Sequence, residues 1–317
     1  MSADKISLQE MAEAINKSGY LIEQRIEYLL LQNGYDVQTS DAYFDEETEK
    51  GREIDLTAVK YGSPDALEKH CLIPHLIIEC ENNAQPIAFF RNNQSPTFKY
   101  EDIKISGVPL TVSGVSDDYY EKVVPGPMPI DEYLHFMGFH HYGFSSEYTQ
   151  YCSFQLTKSN QWIAKHLDSQ HDTFDGLIKC LEKKLDNDFS QFLLPLKGKE
   201  ENIFFHLFYP IIVLQGELYE TYEVDGGRQF KQMKLLSFSK QVATNSKSRS
   251  YKIDIVTESY FNDYLVMIDK EMENIGHAID NNLEVIKTSM LENTRKANEK
   301  EKSRQTYGFP YNSTRTR

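Results

Sequence analysis

Between residues 20 and 82 the spacing of apolar residues changes from the period of a helix to that of strands, and this change most constrains the fold. In SGYLIEQRIEYLLLQNGYDV, Ile22, Ile26, Leu29 and Leu30 fall at i, i+4, i+7 and i+8, one stripe of an amphipathic helix. Ser18 can cap its start and Asn33-Gly34 can end it. Glu23 and Glu27 lie one turn apart on the flanks of the stripe. The acidic tip DEETEKG then reads as a hairpin loop. GREIDLTAV alternates after it, with Ile54, Leu56 and Ala58 on one face and Glu53, Asp55 and Thr57 on the other. Next, the apolar run Leu76-Ile77-Ile78 leads into Glu79-Cys80-Glu81. Helix, strand, hairpin, strand and strand in this order predict an α/β layer with a mixed sheet.

Residues two apart in a strand point the same way. Glu79 and Glu81 therefore share a face, as do Glu53 and Asp55. The short connection favours the two strands as neighbours, which brings Asp55 close to Glu79. Carboxylates that close repel one another, so such a cluster calls for a positive occupant. A hard divalent cation, Mg²⁺ or Mn²⁺, suits a set of oxygen ligands. It would polarise a phosphate, lower the pKa of a bound water and neutralise developing charge, which fits phosphodiester hydrolysis. The plainer reading of the same residues is two edge-strand glutamates facing solvent.

The sequence resembles the restriction-endonuclease-like superfamily, the PD-(D/E)xK nucleases, in several parts taken in order. GYLIEQRIEYLLLQNGYDV is similar to the family's first helix with its glutamate. GREIDLTAV is similar to the strand that carries the metal-binding aspartate, and PHLIIECENN to the strand that carries E-x-K. A helix containing TQYCSFQ is similar to the glutamine-bearing helix of some subfamilies, and FYPIIVLQGELYE to a downstream strand pair. The resemblance implies an α/β, restriction-endonuclease-like mixed β-sheet flanked by helices, and an Mg²⁺-dependent endonuclease acting on DNA. It implies Asp55 and Glu79 as metal ligands, with the backbone carbonyl of Cys80 as a third. Glu23, or less so Glu27, would hold a metal-bound water or a second ion, and Gln150 is a further candidate. Glu53 is expected to be a flanking charge paired with Arg52 or Lys50. Glu81 stands where the family has lysine. It can serve only by helping to bind a second cation or by accepting a proton from the attacking water. Lys60, five residues past Asp55, points to the other face and is no substitute.

Further along, residues 91–146 are irregular and rich in Pro, Gly and aromatics. Two helices are expected in 147–165 and 170–189. IFFHLFYPIIVLQGELYETYEV reads as strongly β with a turn or bulge at Gln215-Gly216, and KQMKLLSFSKQV and YKIDIVT as strands. Thr257 can cap a long last helix. Its apolar positions, from Phe261 to Met290, keep the straight-helix period. That helix packs on its own domain or, beyond Gly276, forms a homodimer contact. The expected division is a nuclease-like domain with insertions over 1–275 and a helical extension with a basic tail over 276–317.

The net charge of −14 argues against a generally basic nucleic-acid coat but not against a local basic surface. Residues 226–253 hold Arg228, Lys231, Lys234, Lys240, Lys247, Arg249 and Lys252 without one Asp or Glu, and the tail 295–317 carries net +5. These segments are expected to meet nucleic-acid phosphates, with salt-dependent binding. His140 and His141 are expected to point opposite ways, one packed and one exposed, and Trp162 to lie in the core or an interface. Four cysteines without a CxxC, a polar N-terminus and no apolar run of ~20 residues predict a cytoplasmic protein with free thiols and no membrane contact. His70, Cys71, His75 and Cys80 fit no common zinc spacing. The alternative function is a catalytically inactive nuclease-like module that binds DNA or protein.

Overall fold

The strand-forming segments join into a twelve-stranded mixed sheet, with helices packed on its faces. The computed structural model describes residues 5–17, 20–45, 48–61, 70–83, 85–92, 103–106, 111–112, 128–129, 139–165, 168–186, 203–243, 248–281 and 284. Helix α1 (Leu8–Lys17) opens on a capping box. The Glu10 N–H donates to Ser7 Oγ at 3.2 Å, and the Ser7 N–H donates to Glu10 Oε2 at 2.8 Å. Helix α2 (Tyr20–Gln32) buries Ile22, Ile26 and Leu30 completely, as its stripe predicts. It ends where Gly34 takes φ 78°, so that the Tyr35 N–H reaches the Leu30 carbonyl at 3.1 Å. Ser18 lies outside the described residues.

The first strands are β1 (Asp36–Asp45), β2 (Lys50–Val59), β3 (His70–Asn82), β4 (Ile87–Arg91) and β5 (Lys104–Ser106). Two short strands, β6 (Thr111–Val112) and β7 (Met128–Pro129), pair only with each other. After them come β8 (Tyr148–Leu156), β9 (Trp162–Lys165), helix α3 (Asp168–Asp186), β10 (Ile203–Gln215), β11 (Leu218–Val224) and β12 (Gly227–Met233). The last elements are β13 (Leu235–Ala243), β14 (Ser248–Thr257) and helix α4 (Phe261–Asn281). The order across the sheet is β1-β2-β3-β10-β14-β13-β8-β4-β11-β12. A single residue pair, Phe238 with Tyr148, joins β13 to β8, so the sheet divides into two wings there.

The expected helix in 147–165 is instead the β8–β9 hairpin. Its turn is closed by Asn160 at φ 59° and by a Thr157 N–H bond to the Gln161 carbonyl at 2.9 Å. The second expected helix is α3. Asp225 and Gly226 both take positive φ between the paired Val224 and Gly227, the geometry of a two-residue hairpin turn, and separate β11 from β12. Thr257 makes no capping hydrogen bond; it precedes a 3-10 turn, Glu258–Tyr260, that leads into α4. Ala278 and Ile279 of α4 stay buried in the same core cluster as Ile22 and Leu265, so the helix packs on its own chain past residue 276. Leu283, Ile286, Met290 and the tail lie outside the described residues. No helix is long and apolar enough to cross a membrane among the described residues.

Two core clusters lie on the two faces of the first wing. Ile22, Leu56, Leu76, Ile78, Tyr209 and Leu265 pack between the sheet and helices α2 and α4. Ile77, Ile212, Phe174, Leu177 and Ile255 pack toward α3, joined by Phe89 and Tyr151 from the second wing. Strands β3 and β10 run parallel to Asn82 and Gln215. They then leave the first wing together and continue as the parallel neighbours β4 and β11. At the crossing, a Cβ on Gly216 would meet the Asn83 carbonyl oxygen at 2.7 Å. Gly216→Ala is therefore expected to lower stability by about 1–3 kcal/mol, read as a lower urea midpoint at unchanged slope.

Candidate functional site

The β2–β3 ladder ends with Leu56 opposite Ile78, which leaves Asp55 and Glu79 next to each other where the two strands part. The expected single-faced alternation of β2 does not hold. Ile54 joins the cluster beneath α3, whereas Leu56 and Ala58 join the one beneath α2. The pairing of β1 with β2 skips Ser40 and Asp55, and Ser40 takes φ 49°. The strand turns its face at Asp55, and that carboxylate reaches across to β3. Its Oδ2 accepts the Cys80 N–H at 2.8 Å.

Three more carboxylates surround it. Glu79 lies beside Asp55; burial first, then the charges of Asp55, Glu81 and Glu23, push it up to about 9. Glu81 is raised by burial, against a Thr173 Oγ1–H bond to its Oε1 at 2.6 Å that acts the other way. Glu23, on α2, is raised by burial and then by Asp55. The structure thus brings Asp55, Glu79, Glu81 and Glu23 into one electrostatic cluster. Among the described residues no Lys or Arg makes an ion pair with any of the four. Arg25, one turn from Ile22, is held by both carboxylate oxygens of Glu258. Cys80 turns its thiol into the cluster beneath α2, where burial raises it. Arg52 pairs with Asp45 at 2.8 Å rather than with Glu53, which is exposed. Lys60 is bound to Asp269 at 2.7 Å. Gln150 is exposed on β8 opposite Phe90, on a strand rather than a helix.

A second polar centre lies in the interior, missed by the sequence reading. His140 and His141 do not point apart: their rings stack at 4.8 Å and both sit in the protein interior. His141 Nδ1 is 2.9 Å from Glu271 Oε2, and its Nε2 is 3.0 Å from Asp254 Oδ2. Tyr209 O–H donates to Glu271 at 2.5 Å, and Tyr264 O–H and Ser237 O–H donate to Asp254 at 2.8 and 2.7 Å. His140, His141 and Glu271 offer donor atoms within 4.8 Å of one another, a group of types able to hold a metal. The hydrogen bonds favour protons instead. Both nitrogens of His141 face carboxylate oxygens, so both carry hydrogen. His140 Nδ1 accepts the Tyr142 N–H, which leaves its proton on Nε2. The flanking carboxylates hold His141 up near 10 against its burial, and the two histidines hold Glu271 down near 2 against its own.

The basic segment does not form one surface. Lys252 is buried at 7% exposure on β14, its ammonium bonded to Tyr142 O at 3.2 Å and Ser145 Oγ at 3.1 Å, so it is no phosphate contact. A central strand with both faces covered leaves no outward side for it. Arg249 is bound to Glu182 at 2.9 Å and Lys240 lies 3.4 Å from Asp175. Arg228, paired with Glu223, and Lys231 sit on the edge strand β12. Lys234 lies over the Tyr260 ring, and Lys247 is outside the described residues. Trp162 is 57% exposed rather than in the core. Compared with family models, curated proteins and solved structures, the chain matches none.

Proposed function

We propose that the chain is a divalent-metal-dependent nuclease with a restriction-endonuclease-like fold, acting on DNA, with Asp55, Glu79 and the Cys80 carbonyl holding Mg²⁺ or Mn²⁺. One observation carries this reading. Asp55 and Glu79 lie side by side where two adjoining strands part, the charges of Glu81 and Glu23 act on the same site, and no described cation pairs with any of the four. The donors are hard oxygens, which suits these ions. When bound, the ion would balance the carboxylate charge and polarise a phosphate ester. The chain's own residues do the rest. The Cys80 N–H fixes Asp55. Thr173 orients Glu81, whose second oxygen can take a proton from an attacking water. Glu81 then does by proton acceptance what a lysine would do by charge. The same substitution favours the second reading, an inactive nuclease-like module that binds DNA or protein.

The test is cleavage of DNA with and without Mg²⁺, coupled to the titration of Glu79. A carboxyl with folded pKa near 9 and an ordinary value near 4.5 weakens the metal-free fold as pH rises between those two values. Mg²⁺ must displace that proton. Its apparent affinity, measured calorimetrically, is expected to rise about tenfold per pH unit up to about 9 and then level off. No Mg²⁺ binding and no cleavage at any pH would overturn the nuclease assignment. Binding without cleavage would favour the inactive module.

A further inference from the structure

Helix α1 is built as an amphipathic helix, yet it stands in solvent. Leu8, Met11 and Ile15 fall three and four residues apart on one face. Every residue from Lys5 to Ile15 is exposed, Leu8 at 81%. Ten helical residues are marginal in water by themselves. The Ser7–Glu10 capping box closes the first turn but buries no apolar surface. The chain carries a second stripe of the same kind. On α2, Leu21, Gln24, Tyr28 and Leu31 repeat the three-and-four spacing on the side opposite the core residues Ile22, Ile26 and Leu30. Tyr28 is 62% and Leu31 52% exposed. This spacing is that of a seam between two helices. Within one chain the two stripes leave each other uncovered.

Charge and spacing select what covers them. Lys5 and Lys17 offset Glu10 and Glu13, so α1 has no net charge to hold an anionic lipid surface or a nucleic acid. Ala12 and Ala14 flank Met11 and Ile15, so a second helix can come close. Each chain offers one uncovered helix and one uncovered helix face of matching period. Two copies related by a twofold axis therefore cover all four stripes with no other component. We propose that the protein is a homodimer in which α1 of each copy packs antiparallel on the outer face of α2 of the other. Antiparallel packing brings opposite dipole ends together. It sets Ile15 toward the partner's Leu21, and Leu8 beside the partner's Leu31. Because α2 also carries Glu23, the dimer holds two carboxylate centres in a fixed relation. The contact itself goes beyond the nuclease reading and stands without it.

The test is sedimentation velocity of the full chain without metal or nucleic acid, so its outcome is separate from that of the cleavage assay. Between about 1 and 100 µM a monomer–dimer equilibrium is expected, because two helix contacts lie at the small end of stable interfaces. Leu8→Ala and Leu31→Ala are each expected to raise the dissociation constant about tenfold. Both side chains are exposed in the single chain, so circular dichroism of the dilute variants should match the wild type. Combined in one chain, the two changes should raise the constant less than about a hundredfold, because each removes the other's partner. A chain that stays monomeric across this range would overturn the proposal. So would a dimer that neither variant weakens. Effects that multiply in full would also overturn it, since Leu8 and Leu31 would then share no contact.

Discussion

Asp55→Asn is expected to remove Mg²⁺-dependent cleavage by about a thousandfold or more while making the metal-free protein more stable. The two effects have one origin. The amide oxygen can still accept the Cys80 N–H, so β2 and β3 keep this contact. The charge that repels Glu79, Glu81 and Glu23 is gone. Losing an anionic ligand removes several kcal/mol of charge stabilisation from the reaction. Losing a like charge in a half-buried cluster returns about 1–2 kcal/mol to the fold. Thermal unfolding without metal should therefore shift upward, and added Mg²⁺ should no longer raise it. A variant that loses activity because it misfolds would melt lower, which separates the two explanations. Unchanged cleavage by Asp55→Asn would end the assignment of this carboxylate to metal binding.

His141→Asn is expected to act in the opposite sense and to cost about 3–5 kcal/mol of stability at neutral pH. The imidazolium is the bridging charge between Glu271 of α4 and Asp254 of β14. Without it, two buried carboxylates lose their counter-ion while Tyr209, Tyr264 and Ser237 still hold them in place. The pH dependence has a definite sign. Glu271, held near 2, contributes stability that is present above its ordinary value of 4.5 and lost as pH falls through 2. His141, held near 10, contributes stability that is present below its ordinary 6.5 and lost as pH rises through 10. The wild-type advantage should be widest between about pH 4.5 and 6.5 and shrink on both sides. Guanidinium denaturation of both proteins across that range measures it. An unchanged midpoint at pH 6 would show that the centre is not held together by charge.

The parts of the fold legible in the sequence are those set by local periodicity. Ile22, Ile26 and Leu30 mark α2, and Asn33-Gly34 marks its end, because one face of one helix meets the core. Ser7 and Glu10 could have revealed α1, and Asp225-Gly226 the β11–β12 turn, since capping boxes and Asp-Gly pairs act locally. The β8–β9 hairpin was not legible. Tyr148, Tyr151 and Cys152 have helical spacing, yet Tyr151, Cys152 and Ser153 are buried in succession because this strand is enclosed by strands on both sides. Strand alternation and adjacency placed Asp55 beside Glu79, but the change of face at Asp55 depends on Ser40, fifteen residues of hairpin away in a different strand. The centre around His141 could not be read at all. Its members come from residues 140 to 271, and only the packing of α4 against β14 gives them a common location.

The parallel pairing of β3 with β10 also governs when the carboxylates can meet during biosynthesis. His70 lies beside Ile203 and Asn82 beside Gln215, so more than a hundred residues separate the partners. At ribosomal speed that is roughly ten seconds in which Leu76, Ile77 and Ile78 have emerged with one side of their strand unpaired. A nascent chain that stops short of residue 215 therefore leaves an apolar strand edge open to pairing with other chains, and contacts this distant along the chain make folding slow.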